Sequence, residues 1–345
     1  MRLKSRTLNV TLLAVATLGV TVSANAARNN IQIAGSSTVL PFASIVAEEF
    51  GNTYPQFKAP VVGSGGSGAG LKQFCQGVGE NTIDIANASR PIKPAEIEAC
   101  KKVGVNKIIE VKVGYDGIVF ASNAGKKPFA LKPSHIYAAL AAQIPSKSNK
   151  LMPNPFTRWN QIDKSLPDQE IMLVIPASNH GTREVFEEKV VHPGCNVYEY
   201  NRGLSEDENK KVCTSFRKDG RVIEVSGDYT ETLARLKTSP NAVGVFGLSF
   251  YDQNRDRLRV ATVNGVTPSE ATIASGKYPV SRPLYFYVKG EHIGVIPGLQ
   301  EYAEFFVNEK MSGAGSQLQE EGLIPLPKAE RAKVLATIKA RKTLK

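Results

Sequence analysis

Ile31-Gln32-Ile33-Ala34-Gly35-Ser36-Ser37-Thr38-Val39-Leu40-Pro41-Phe42 opens a strand, stops it and starts a helix. Residues 31–34 are short and apolar, Gly35-Ser36-Ser37-Thr38 breaks the strand, and Pro41, Phe42, Ile45, Val46, Glu48, Glu49 and Phe50 then follow helical spacing. The pattern returns at once. Residues 59–62 read as a strand, Gly63-Ser64-Gly65-Gly66-Ser67-Gly68-Ala69-Gly70 as a turn, and 71–76 as the opening of a helix. A third strand at 82–86 ends in Asn87-Ala88-Ser89-Arg90-Pro91 before a helix at 94–102, and a fourth at 171–175 passes through a turn at 176–182 into an amphipathic helix at 183–190. Strands alternating with helices predict α/β layers around a largely parallel sheet, and in such sheets ligands bind beyond the carboxyl ends of the strands.

The composition of these turns narrows the ligand. At a helix start the first backbone N–H groups have no intrahelical partner and the positive end of the dipole faces the turn, so Gly or Ser there lets an anion come close. Ser37, Thr38, Ser67 and Thr182 add neutral O–H donors, and Arg90 and Arg183 add forked cations suited to oxyanions. Together they describe a tetrahedral oxyanion held mainly by hydrogen bonds, although each turn alone is ordinary capping. A dinucleotide site fits less well. Gly63-x-Gly65-x-x-Gly68 satisfies its glycine pattern, but Asp84, the candidate ribose partner, stands at the beginning of the third strand rather than at its end. An exported phosphoester hydrolase is the alternative from another class: His180 adjoins Gly181 and Thr182, but no G-x-S-x-G or H-E-x-x-H accompanies it, and His135, His192 and His292 are expected at the surface or as caps.

The first 26 residues read as a secretory leader, with Arg2, Lys4 and Arg6 before an apolar stretch at 8–22 and Ala24-Asn25-Ala26 as the cleavage site. Cleavage after Ala26 is expected, with no lipid anchor, because no Cys follows the apolar stretch. The whole chain of 345 residues has a formal net charge of +11, which loss of those three basic residues lowers to +8. So basic an exported chain favours anionic partners, but zinc-finger spacing and aromatic RNP patterns are missing, so nucleic acid is not expected. With 42% hydrophobic and 22% charged residues, and length enough for two cores, disorder, collagen-like repeats, coiled coils and multi-span membrane folds are excluded. Cys75, Cys100, Cys195 and Cys213 form an even set that reads as two disulfides. Sequential pairing is preferred because each pair closes a modest loop, with three connectivities formally open. Neither pair has zinc-ligand spacing, and neither a metal nor a cofactor is expected.

Residues 107–122 form a long strand-like stretch, and 241–251 a second apolar stretch rich in Gly; each is long enough to pass between two lobes. A further strand at 282–288 and a helix at 299–308 follow. A crossing near Gly114 and a return near Tyr251 would make the first lobe discontinuous, 27–114 with 255–345, around a second lobe at 115–254. The basic terminal segment 328–345 reads as a solvated helix.

In combination, Gly35-Ser36-Ser37-Thr38-Val39-Leu40-Pro41, Gly65-Gly66-Ser67-Gly68-Ala69-Gly70, Asp84-Ile85-Ala86-Asn87-Ala88-Ser89-Arg90-Pro91, Tyr115-Asp116-Gly117-Ile118-Val119, Arg158-Trp159 and Gly181-Thr182-Arg183 resemble the periplasmic phosphate-binding proteins of bacterial phosphate ABC transporters. The likeness runs over most of the mature chain. It implies a type II, two-lobed periplasmic-binding-protein fold, each lobe a mixed, mostly parallel sheet flanked by helices. It also implies a non-enzymatic, monomeric periplasmic protein that closes on inorganic phosphate and delivers it to a membrane permease. Carried over residue by residue, it assigns Ser37, Thr38 and the Val39 amide to the first turn, Ser67 and Gly68 to the second, and Ser89 and Arg90 to the third. His180, Gly181, Thr182 and Arg183 follow from the fourth.

Two departures bear on selectivity. One branch of the family has an Asp where this chain has Arg90, accepting the phosphate proton that sulfate lacks; this chain resembles the branch with Ser-Arg there. That branch's usual fourth turn, Arg-Glu-Ala-Gly-Ser-Gly-Thr-Arg, reads here Pro176-Ala177-Ser178-Asn179-His180-Gly181-Thr182-Arg183. Arg90 and Arg183 are then expected to supply the charge and Asp116 to accept the proton, with sulfate or arsenate as the alternative oxyanion.

Overall fold

The computed structural model describes residues 28–178, 180, 182–227 and 229–344, so the leader reading at 1–26 and Gly181 lie outside the described residues. One continuous sheet contains ten strands: β1 Gln32–Gly35, β2 Val61–Ser64, β3 Ile85–Ala88, β4 Ile108–Asn123, β5 Leu173–Pro176, β6 Val222–Val225, β7 Val243–Gly247, β8 Leu258–Val260, β9 Ser281–Lys289 and β10 Ile324–Pro325. Their order is β2-β1-β3-β9-β4-β7-β5-β6, with β8 and β10 also paired to β4. Parallel pairing holds the two flanks, β1 with β2 and β3, and β5 with β6 and β7. The middle is antiparallel, through β9 against β3 and β4, and β7, β8 and β10 against β4.

The helices that matter for the site are α1 Leu40–Thr53, α2 Ser67–Phe74, α3 Pro94–Lys102, α4 Pro133–Leu140, α5 Thr182–Phe186, α6 Tyr229–Thr238, α7 Leu299–Phe306 and α8 Lys328–Lys339. α1 shows why such segments fold locally. Pro41 sits in its first turn, where a missing N–H costs nothing, and Phe42, Ala43, Val46, Ala47 and Phe50 recur at helical spacing on the buried face. Phe50 ends that face in an aromatic group, edge-on to Tyr302 of α7 with ring centroids 5.5 Å apart. α5 continues through a π-helical turn, Glu187–Val191, into His192–Cys195.

β4 links the two halves. Its 16 residues pair with β9 from Ile108 to Gly117, then with β7 from Ile118 to Ala121. One apolar cluster gathers Ile33, Val46, Phe50, Val111, Phe286 and Phe306, and a second gathers Ile118, Phe120, Trp159, Val174, Phe186 and Phe246. A single strand therefore feeds two cores, which explains why most of its length is buried. The pairing departs from the sequence boundaries at the return. Residues 241–251 do not cross: β7 stays in the second half, and Leu258, Ala261, Val263, Ile273, Tyr278 and Val280 still pack in its cluster. The chain rejoins the first half at Ser281, where β9 takes up its register against Gly117.

Other differences have local causes. The terminal helix is packed rather than wholly solvated: Ile338 of α8 is buried in the first core, and Arg331 reaches Leu326 O and the Glu309 carboxylate. His135 and His292 are buried, not superficial. His292 Nδ1 meets Asp84 Oδ1 at 2.6 Å and its Nε2 accepts the Gly79 N–H at 3.1 Å, while Asp84 also takes Arg28 and the Gln32 N–H. Asp84 thus anchors the start of β1, at the end of the sheet opposite the turns. The disulfides join Cys75 to Cys100 and Cys195 to Cys213.

Candidate functional site

β1, β2 and β3 are adjacent and parallel, so the turns at their carboxyl ends lie side by side. Close backbone contact holds them there: Ser36 N–H donates to Asn87 O at 2.9 Å and Gly66 N–H to Gly35 O at 2.9 Å. α2 packs onto the same spot. A Cβ at Gly70 would lie 2.4 Å from Gly35 Cα, and one at Gly35, whose φ is +141°, would lie 2.2 Å from Asn87 O, so only glycine fits at either position. Side-chain caps are missing at the N-caps Val39 and Gly66, leaving both helix starts to face the turns with backbone alone. Val39 itself is buried in the first core and can offer only that backbone.

The hydroxyls are ordered by one another. Ser37 Oγ is 3.0 Å from Ser64 Oγ, while Ser67 Oγ accepts the Ser89 N–H at 3.0 Å and lies 3.1 Å from Ser89 Oγ. From the second half, the turn after β5 brings His180 and Thr182. His180 Nδ1 accepts the Thr182 N–H at 3.1 Å, and Thr182 Oγ1 meets Tyr229 Oη at 2.5 Å. Gly247, at the end of β7, gives the Tyr229 ring its room, since a Cβ there would lie 3.1 Å from Cε2. Burial pushes the Tyr229 hydroxyl well above its ordinary pKa, which keeps it a neutral donor.

Between the halves lies a cleft of about 310 Å³, into which Ser37, Thr38, Asp116, His180, Thr182 and Tyr229 project, with Phe42 and Phe250 as apolar walls. Asp116 comes from β4, and its register partner on β9 is Arg282. The two charges face each other, Nε to Oδ2, at 3.5 Å without a hydrogen bond, and both atoms are buried. Burial raises the Asp116 pKa, against the pull of Arg282. Arg282 is 2% exposed and donates through Nη2 to Thr38 Oγ1 at 2.6 Å and through Nη1 to Glu188 Oε2 at 3.1 Å.

Residues 20–310 match the model of the PBP superfamily domain. The chain belongs to the PBP superfamily. Protein SphX of Synechococcus elongatus is 30% identical over 310 residues, covering 88% of this chain and 80% of that one. Phosphate-binding protein PstS of Staphylococcus haemolyticus is 27% identical over 298 residues, 85% of this chain and 80% of that one. Among solved structures, a possible phosphate binding protein from Planctomyces limnophilus superposes with a TM-score of 0.70 at 26% identity, over 91% of this chain and 99% of that chain. PstS from Borrelia burgdorferi, at 19% identity, shares the fold with a TM-score of 0.61 over 87% of this chain and 100% of its own.

In this PBP-superfamily chain the residues nominated from sequence divide into two groups. Ser37, Thr38, Asp116, His180 and Thr182 line the cleft. Ser67, Gly68, Ser89 and Arg90 cluster at the carboxyl ends of the neighbouring strands, outside that lining. Arg90 is held by Glu96 through two hydrogen bonds of 2.7 and 2.9 Å; the bond raises the arginine's pKa, and although burial works the other way it lowers that of Glu96. Arg183 turns away from the cleft to Glu187, Glu224 and Pro176 O, with its guanidinium over the Phe216 ring. The cation next to the cleft is Arg282, which sequence reasoning missed, together with Tyr229. Its signal was a charge at the head of a largely apolar strand, which the fold sets opposite Asp116.

Proposed function

We propose that the chain is an extracytoplasmic, non-enzymatic binding protein that captures inorganic phosphate in this cleft and delivers it to a membrane ABC permease. The observation that carries the reading is the convergence of neutral hydroxyls from both halves on one cleft beside a buried carboxylate oxygen that accepts no hydrogen bond from the described residues. Neutral donors suit a fully charged oxyanion, and Asp116 suits one that still carries a proton. The relatives' names support phosphate. In this reading, residues 28–117 with 281–344 form one lobe and 118–280 the other, and hinge closure across β4 and β9 encloses the ion. Ser37, Thr38, the Val39 amide, Ser67, Asp116, His180, Gly181 and Thr182 bind it, with Arg282 behind Thr38. Cleavage after Ala26 releases a monomer.

Calorimetric titration of the mature chain, stripped of ligand by unfolding and refolding, tests this. One-to-one uptake of phosphate that excess sulfate does not disturb is expected. Hydrogen arsenate, which carries the same proton, should compete. Preference for sulfate, or uptake of none of these ions, would overturn the reading, and turnover of a chromogenic phosphate ester would replace it with a hydrolase.

A further inference from the structure

Thr38 stands at a junction. Arg282 Nη2 donates to its hydroxyl oxygen at 2.6 Å, and the hydroxyl in turn donates to Glu184 Oε2 at 3.3 Å. Glu184 belongs to α5 in the second half, so this bond links the two halves at Thr38, on the cleft wall. A hydroxyl has a single proton to give. With Arg282 occupying the oxygen, that proton can serve either Glu184 or an oxyanion.

We propose, resting on the phosphate reading above, that Glu184 is a built-in competitor for the oxyanion seat and Arg282 the residue that aims Thr38 at whichever acceptor occupies it. Capture exchanges a carboxylate for a phosphate oxygen on one hydroxyl. The surroundings suit such an exchange: the Glu184 side chain is 46% exposed and has water to enter when displaced, whereas Arg282, at 1%, stays fixed. Because Glu184 is tethered, it is always at hand to retake the proton, which favours release. Glu188 is the internal control. It carries the same charge one turn along, touches the same arginine through Nη1, and makes no bond to Thr38.

Phosphate titration of the mature chain and its variants tests the exchange. Glu184→Gln should tighten binding by about tenfold, the equivalent of about 1.4 kcal/mol. Glu184→Ala should tighten it further, because Gln retains an acceptor oxygen. Glu188→Gln should gain clearly less, and in a Thr38→Val background Glu184→Gln should gain nothing. Arg282→Lys, which keeps a donor, should preserve the Glu184→Gln gain, whereas Arg282→Gln should lessen it. Melting curves identify variants that fail to fold, and the Glu184, Glu188 and Thr38 set decides without the arginine. Equal gains for Glu184→Gln and Glu188→Gln, or a full gain that survives Thr38→Val, would reduce the effect to net charge and overturn competition. So would weaker binding by Glu184→Gln. If the parent binds phosphate and the Glu184 variants match it, only the competitor is lost; if the parent binds none, the phosphate reading falls and the competitor with it.

Discussion

Asp116→Asn separates a seat for protonated oxyanions from one for any tetrahedral anion. Asp116 Oδ2 is buried, accepts no hydrogen bond from the described residues and lies 3.5 Å from Arg282 Nε. A hydrogen phosphate can donate its proton to Oδ2, a charge-assisted bond worth about 1.5–3 kcal/mol. Sulfate has no such proton. At an effective dielectric near 20, two unit charges about 4 Å apart repel by about 4 kcal/mol. The substitution should therefore weaken phosphate by roughly 10- to 150-fold, strengthen sulfate, and shrink the ratio between them by at least ~10²-fold. Competition calorimetry reads both. The pH dependence adds a sign. Burial raises the Asp116 pKa, so the parent's carboxyl becomes a donor at a less acidic pH than an ordinary carboxylate, and its sulfate binding should strengthen as pH falls through that point. Asp116→Asn should lose this dependence. Stability gives the control: a carboxyl whose folded pKa lies above its unfolded value destabilises the fold when ionised. The Asn variant should thus melt no lower than the parent at neutral pH, with any advantage fading as pH falls through the raised folded pKa and gone below the unfolded one. A well-folded variant that keeps its selectivity would move the acceptor elsewhere and refute the reasoning.

Ser67→Ala removes the acceptor for the Ser89 N–H, so it should lower stability by about 1–3 kcal/mol and phosphate affinity by a similar amount; a lower melting temperature with unchanged affinity would make Ser67 a brace alone. Replacing Cys195 and Cys213 by Ser opens a loop with a sequence separation of 18 and should cost about 3 kcal/mol in urea unfolding, and an unshifted midpoint would contradict that. Lys289 is buried, donates to Gly77 O and Thr82 Oγ1, and burial drives its pKa down to about 8. Between that value and the unfolded one, about 10.4, the unfolded chain binds more protons, so this group's contribution to stability rises with pH by up to ~3 kcal/mol. Lys289→Met should remove that rise, measured as the difference between parent and variant urea curves from pH 8 to 10; parallel curves would refute it.

β1, β2, β3 and β5 were legible because each runs at once into its own turn and helix, whereas the edge strand β6 at Val222–Val225 was not read from the sequence. The Gly35 and Gly70 contacts show the Gly-rich turns to be packing requirements as much as ligand seats. The return to the first half was not legible, because residues 255–280 earn their place through contacts with β4 and the second core, which no local pattern announces. The partners of the arginines were not legible either. Arg90 and Arg183 stand in the correct turns, but Glu96, six residues on, and Glu187, four residues on, claim their forks. A cation near a turn in sequence binds the nearest carboxylate unless the fold keeps that carboxylate away.

Arg282 and Asp116 show what replaces local order at the cleft. They are 166 positions apart in the chain and directly opposed in the β9–β4 register, at the step where β4 leaves one core for the other. A charge there has no apolar layer of its own to disturb, and it can reach groups from both halves. Arg282 does so, touching Thr38 from one side and Glu184 and Glu188 from the other. Any motion of the halves about these strands alters those distances before it alters either core. On the proposed reading the charge state of the seat and the closure of the cleft are thereby tied to one side chain, and an anion that takes over the Thr38 proton from Glu184 would change both together.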